Sequence, residues 1–200
     1  VQPFWDCSWL MPEYALSAMN IVYFDLETQK TFDEVGGRTP EHKRQMGMSI
    51  GVAYSTAGGE YSIFDEAKAN ALIKTLMRAD LVVGFNIVNF DYDVLSAYGM
   101  FDPKEIPTLD ILDDVNNTLG HRLKLDTIAK ATIGAAKTAD GLDAIRWWRS
   151  GTPEDILKIA EYCCYDVKVP KLIHEFGRKQ GQIFYTDKFG QKRACKVNWT

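Results

Sequence analysis

Contiguous apolar runs alternate along this chain with apolar residues at helical spacing, and the alternation begins with a strand. Asn20–Leu26 is apolar, β-branched and aromatic and ends in an acidic pair, which predicts a strand buried in a sheet. The residues ahead of it, 1–19, read as an N-terminal extension. Thr28–Gln45 is polar and carries Gly36–Gly37, Pro40 and the basic trio His42, Lys43 and Arg44, a composition that predicts a long loop at the strand's end. Ser49–Tyr54 and Glu60–Phe64, parted by Ala57–Gly58–Gly59, predict a hairpin. Asp65 then stands where an N-cap belongs, ahead of Leu72, Ile73, Leu76 and Met77 at helical spacing.

Asp80–Asn86 is apolar without interruption from Leu81 to Val83, as in a strand buried on both faces, and a helix over about Phe90–Tyr98 follows. Thr108–Ile111 predicts a short strand with Asp110 as a cap, and helical patterns cover Asp110–Leu119, Lys124–Ile133 and Leu142–Arg149. Thr152–Pro153–Glu154–Asp155 is a helix start: a cap, a proline at the first helical position, and carboxylates facing the positive end of the dipole. That helix is expected to reach Asp166 and on towards Phe176, with Pro170 as a kink or break. Gln182–Tyr185 and Ala194–Trp199 predict a terminal hairpin. The fold class is therefore α/β: a mixed sheet flanked by helices, over residues 20–180, with a C-terminal β-hairpin over 181–200 on the same domain.

Composition narrows the class. Two hundred residues with 46% apolar side chains can bury a full core, which excludes disorder as the main state. The longest apolar runs, Leu81–Phe85 and Ile21–Phe24, are strand-sized, so no membrane span is expected. Val1–Leu10 carries Asp6 and no basic stretch, unlike a signal peptide. The net charge of −4 means that a nucleic-acid partner needs a local basic surface. Cys7, Cys163, Cys164 and Cys195 have neither CxxC spacing nor a nearby histidine pair, and read as reduced thiols of a cytoplasmic protein. His121 and His174 read as surface or cap residues, and Asp93 as pointing to solvent.

The candidate chemistry lies in carboxylates. Asp25 and Glu27 are two apart at a strand end, so side-chain alternation puts both on one face. Either they are a solvated strand end, or they hold Mg²⁺ or Mn²⁺ through hard oxygen donors on a rigid element. Asp91 follows the Asp80–Asn86 strand at the start of a helix, placed either to cap that helix or to reach the same ions at the sheet's edge. Asp166 lies in the long helix with Tyr162 one turn before it on the same face. Such a pair suits a metal ligand and a hydroxyl that holds a metal-bound water, or else a core tyrosine beside a solvated acid.

Phe24–Asp25–Leu26–Glu27–Thr28, then Asn86–Ile87–Val88–Asn89–Phe90–Asp91–Tyr92–Asp93–Val94–Leu95, then Tyr162–Cys163–Cys164–Tyr165–Asp166 resemble the three exonuclease motifs of the DnaQ-like, DEDD-type 3′–5′ exonucleases of the ribonuclease-H-like superfamily. Tyrosine four residues before the last aspartate, with Glu161 where the histidine version would carry its histidine, resembles the tyrosine, or DEDDy, branch. Leu123–Ala129 with Ile133–Gly134 and Lys137 is similar to a segment of family-B polymerase proofreading domains. The overall spacing, with Trp147–Trp148 and the terminal hairpin, looks more like stand-alone bacterial exonucleases of the YprB type, which act beside a DEAD/DEAH-type helicase in DNA repair.

The resemblance implies two divalent cations, Mg²⁺ or Mn²⁺, with Asp25 bridging them, Glu27 and Asp166 completing one, Asp91 supporting the other and Tyr162 orienting the attacking water. It implies a DNA substrate cut from its 3′ end, with RNA the alternative. Leu26, Thr28 and Asn86 are implied contacts to the terminal nucleotide. His42, Lys43, Arg44 and Lys137 are possible phosphate contacts or a solvated face, and Trp147 and Trp148 stacking platforms or core. Two rivals to the DNA exonuclease stand: an RNA-trimming or structure-selective nuclease of the same fold, and an inactive nucleic-acid or helicase-binding module.

Overall fold

A computed structural model describes residues 19–135 and 141–199, so the N-terminal extension over 1–18 and Lys137 lie outside the described residues. In chain order the elements are β1 (Ile21–Thr28), α1 (Phe32–Val35), α2 (Pro40–Arg44), β2 (Met48–Ser55), β3 (Glu60–Asp65), α3 (Ala69–Met77), β4 (Leu81–Gly84), α4 (Asp91–Leu95), β5 (Thr108–Asp110), α5 (Ile111–Leu119), α6 (Leu125–Ile133), α7 (Gly141–Ser150), α8 (Pro153–Gln180), β6 (Gln182–Thr186) and β7 (Lys192–Lys196). The main sheet runs β3-β2-β1-β4-β5, antiparallel across β3, β2 and β1 and parallel across β1, β4 and β5. The expected mixed sheet with its separate β6–β7 hairpin is present.

The central strand β1 sorts its side chains between two cores. Val22, Phe24 and Leu26 pack with Leu72, Ile73 and Leu76 of α3 and with Val94 and Leu95 of α4. Ile21 and Tyr23 pack on the other face with Ile159, Cys163 and Val167 of α8. Each such side chain taken from water contributes about 1.5–3 kcal/mol. Because side chains alternate, Asp25 and Glu27 continue the Ile21–Tyr23 face and emerge on the side covered by α8. Beyond them the pairing shifts: Glu27 faces Ile50 and Thr28 faces Met48, leaving Ser49 as the extra residue of a bulge.

The long helix α8 starts as its sequence dictates, with the Thr152 side chain accepting from the Asp155 N–H, and ends on Gly181 at φ 65°. It continues through Pro170 to Gln180 rather than breaking there. Pro170 removes one helical hydrogen bond, to the Asp166 carbonyl, but Val167, Val169, Pro170 and Ile173 are all buried, and that packing holds the helix. The same buried face carries His174, which is no surface or cap residue: its Nδ1 lies 2.8 Å from the Tyr23 hydroxyl, and the side chain is 1% exposed. Trp199 tilts against that imidazole and lies over Gly177, where an added Cβ would come within 2.5 Å of its ring.

Residues 28–45 also depart from the expected loop. They fold into α1, with a Thr31–Glu34 capping box, and α2. Lys43 pairs with Asp93 at 2.9 Å and donates to the Asn89 carbonyl, while Arg44 Nε donates to Ser96 Oγ at 2.8 Å. Lys43 and Arg44 thus brace the loop against α4 and the residue that follows it, while His42 pairs with Thr39 within its own segment, and Asp93 is held by Lys43 rather than turned to solvent. The C-terminal hairpin docks through Thr132 of α6, whose Oγ1 accepts from the Phe184 N–H and donates to the Phe184 carbonyl.

Candidate metal centre

Three elements bring the sequence-predicted acids together. Asp25 and Glu27 come from the end of β1, Asp166 from the middle of α8, and one ligand oxygen of each lies within 4.8 Å of the others. Asp91, at the first position of α4, stands outside that triplet but against it. Its Oδ1 accepts from the Leu26 N–H at 3.1 Å, which ties α4 to β1. Asp91 is buried, and its charge is the largest neighbouring influence on Asp25.

Burial pushes the Asp25 carboxyl well above the usual range, and the charges of Asp91, Asp166 and Glu27 push it further. Asp91 is raised as well, by burial against the Leu26 hydrogen bond that opposes it. Packed like charges of this kind are relieved by a cation between them. Three converging carboxylates on a rigid strand and helix form a hard oxygen donor set, and the group fits a divalent ion such as Mg²⁺ or Mn²⁺.

Tyr162 is buried one turn before Asp166 and hydrogen-bonds to its carboxylate. Burial raises its pKa, and Asp166 and Glu27 raise it further, so the phenol stays protonated. Trp147 of α7 meets the Tyr162 ring edge-on at 6.5 Å between centroids. Both Trp147 and Trp148 are half-buried against the core.

Two residues that sequence reasoning did not place in the site belong to it. Cys163 is buried, and its Sγ lies 3.3 Å from the Asp25 carbonyl and 3.5 Å from Asp25 Oδ2. Burial and the nearby acids push the thiol up, so it is a donor to Asp25 rather than a nucleophile. Its position directly after Tyr162 was the available signal. Asp110 does cap α5 as expected, but it also accepts from the N–H groups of Asn86 and Val88, at 2.8 and 3.0 Å. It thereby fixes the β4–α4 loop in which Asn86 adopts φ 67°, the left-handed region uncommon outside glycine.

A cavity of about 380 Å³ opens over the acids. Asp25, Glu27 and Asp91 share its wall with all three expected nucleotide contacts, Leu26, Thr28 and Asn86. The Leu26 side chain is 4% exposed and turned into the α3–α4 core, and Thr28 donates to the Lys30 carbonyl. Asp166 and Tyr162 face a second cavity, of about 750 Å³, which shares Phe85 and Asn86 with the first. Among the described residues no helix is long and apolar enough to cross a membrane.

The search of curated proteins returned no match to this chain. A family model described as RNase H superfamily matches residues 22–175, from the start of β1 to the end of the His174 face of α8, and so includes every acid of the cluster. With three quarters of its length inside that match, and with the mixed sheet that carries the acids, the chain belongs to the RNase H superfamily.

Proposed function

We propose that this protein is a metal-dependent 3′–5′ exonuclease of the DnaQ-like DEDDy kind, which removes nucleoside monophosphates from the 3′ end of DNA. The observation that carries the reading is the convergence of Asp25, Glu27 and Asp166 within 4.8 Å, with Asp91 hydrogen-bonded to the same strand and the Tyr162 hydroxyl on Asp166. RNase-H-like nucleases use divalent metals, and the superfamily match favours a nucleic-acid substrate.

Asp25, Glu27, Asp91 and Asp166 would hold two divalent ions, which supply water activation and charge neutralisation at the scissile phosphate. Asp25, central in the cluster, is oriented by the Cys163 thiol and kept poor in solvent by burial. The Tyr162 hydroxyl, protonated throughout the working range, acts as a hydrogen-bonding positioner of the attacking water and not as its base. Water gives up a proton to solvent as its oxygen adds to phosphorus, the bond from phosphorus to the leaving 3′-oxygen breaks, and that oxygen takes up a proton from solvent. Leu26, Thr28 and Asn86 border the space in which the terminal nucleotide would sit. The reading requires neither a helicase partner nor a repair setting, which rest on the YprB-type resemblance.

The test is digestion of matched 5′-labelled single-stranded DNA, duplex DNA and RNA with Mg²⁺, Mn²⁺ or EDTA, beside Asp25→Asn. A metal-dependent ladder shortening from the 3′ end and absent from the variant is expected. Internal cuts, or a ladder that the variant retains, would overturn the assignment.

A further inference from the structure

The acid site is one end of a row of neighbouring cavities. The cavity over Asp25 and Glu27 shares Phe85 and Asn86 as walls with the one beside Tyr162 and Asp166. The second in turn shares Leu123 with a third, of about 410 Å³, walled by His121, Tyr185, Lys188 and Phe189. This third cavity lies between the α5–α6 connection and the turn of the β6–β7 hairpin.

The chemistry of the lining changes along the row. The first cavity sets three carboxylates, Asp25, Glu27 and Asp91, among largely apolar walls. Arg122 and Lys124, both exposed, enter at the second, beside Asp126 and Asp166. Arg122 Nη2 donates to Asn86 Oδ1 at 2.8 Å, which holds the guanidinium at the junction of the first two spaces. At the far end are aromatic rings: Tyr185 with His121 edge-on at 6.4 Å, and Phe189, 75% exposed on the hairpin turn. The acid there is already committed. Asp187 accepts from the N–H groups of Phe189 and Gln191 and from Arg193 Nε, so it shapes the turn while Lys188 remains as the exposed charge.

Cations followed by accessible rings on a rigid support suit a flexible polyanion with stackable bases, which is single-stranded nucleic acid. We propose that the Arg122–Lys124 ledge and the Lys188–Phe189 hairpin turn form a distal binding site for the body of a single strand whose end lies at the acid cluster. The inference rests on the exonuclease reading for which end of the strand sits at the acids, not for the strand's binding. Support for the hairpin comes from Thr132, which clamps Phe184 from α6, and from the direct continuation of α8 into β6 through Gly181. The turn is therefore held in fixed relation to Tyr162 and Asp166 on the same helix.

The experiment is fluorescence anisotropy of 5′-labelled oligothymidylates of 3, 6 and 12 nucleotides with Ca²⁺ as the cation, for the whole chain, the Lys188→Ala/Phe189→Ala double variant and Arg122→Ala. Affinity should rise at least about fivefold from the 3-mer to the 12-mer, the worth of one stacked base. The double variant should lose that gain, and Arg122→Ala should lower the salt slope by about one. A 12-base-pair blunt duplex should lack the gain, because paired bases cannot reach Phe189. Equal affinity for all lengths, or a gain that survives in the double variant, would overturn the distal site. Parallel cleavage with Mg²⁺ separates the two readings. Length-dependent binding without a 3′ ladder sinks the exonuclease alone, and a ladder without length dependence sinks the distal site alone. Thermal melting of each variant checks that it is folded.

Discussion

Neutralising Asp25 should make the metal-free protein more stable, against the rule that most substitutions at buried sites destabilise. Two unit charges 4.8 Å apart, the limit within which the ligand oxygens of Asp25, Glu27 and Asp166 lie, repel by about 3.5 kcal/mol at an effective dielectric of about 20. The alternative to that repulsion is a proton on Asp25, whose carboxyl is pushed upward by burial and the neighbouring acids, and holding a proton at pH 7 against an ordinary carboxyl pKa costs at most about 4 kcal/mol. Asp25→Asn removes either cost while its side chain can still face the Cys163 thiol. Allowing for solvent and counterions, the gain is about 2–4 kcal/mol, or about 5–15 °C in Tm for a chain of this length. The assay is thermal unfolding followed by circular dichroism in EDTA and in Mn²⁺, with Asp33→Asn, an exposed acid, as the control for net charge. Wild type should gain about 2.7 kcal/mol at a Mn²⁺ concentration one hundred times its Kd. Asp25→Asn should start higher and gain little. A variant no more stable than wild type in EDTA, or one with an undiminished Mn²⁺ response, would refute the claim that these acids are a strained, cation-ready cluster.

Burial, and then the Arg178 charge, push the His174 pKa down to about 4 from 6.5, so stability linked to it is complete above about pH 6.5 and is lost as pH falls towards 4. By pH 4.5 the loss is about 2.5 kcal/mol, read as the difference in pH dependence between wild type and His174→Gln in urea unfolding; parallel profiles would show that the imidazole is not held neutral. Ser49 Oγ is the one buried side-chain polar atom among the described residues without a hydrogen-bond partner, so Ser49→Ala should raise stability by about 1 kcal/mol, and a loss of more than that would mean that the bulge supplies a partner. Tyr162→Phe should reduce turnover by about 10²-fold while leaving Mn²⁺ affinity within about threefold; calorimetric titration showing a large loss of affinity would make the hydroxyl part of the ion's own binding. Gly177→Ala should cost about 1–3 kcal/mol in unfolding experiments, because its Cβ would meet the Trp199 ring at 2.5 Å, and a neutral result would show that the ring shifts freely.

Where single-residue periodicity decided a position, the sequence was readable; where two distant segments had to meet, it was not. Alternation along β1 put Asp25 and Glu27 on one face, and one helical turn put Tyr162 over Asp166, both from local rules alone. His174 was misread because one polar residue on a helix gives no local sign of burial. Its partners, Tyr23 and Trp199, come from the first strand and the chain's far end. The role of Lys43 was hidden for the same reason, since the Lys43–Asp93 pair spans fifty positions. Cys163 stood in plain view inside the third motif, yet its contact with Asp25 crosses 138 positions.

The same contrast separates the metal centre from what surrounds it. Its acids repel one another, so only rigid supports can hold them together without a cation: Asp25 and Glu27 lie on the central strand of the sheet, Asp166 on the 28-residue helix α8, and Asp91, on the short α4, is tied to the same strand by the Leu26 N–H. Elements that can carry such strain must have long, strongly periodic apolar faces, and those faces are what a sequence displays most clearly. The loop of Asn86, the Arg122 ledge and the hairpin turn need only modest support, from Asp110, Asn86 and Thr132 respectively. They leave correspondingly faint marks in the sequence. In this protein a residue is easiest to read where holding it in place is hardest, which is why the acids were evident from the chain and the surfaces that would choose among substrates were not.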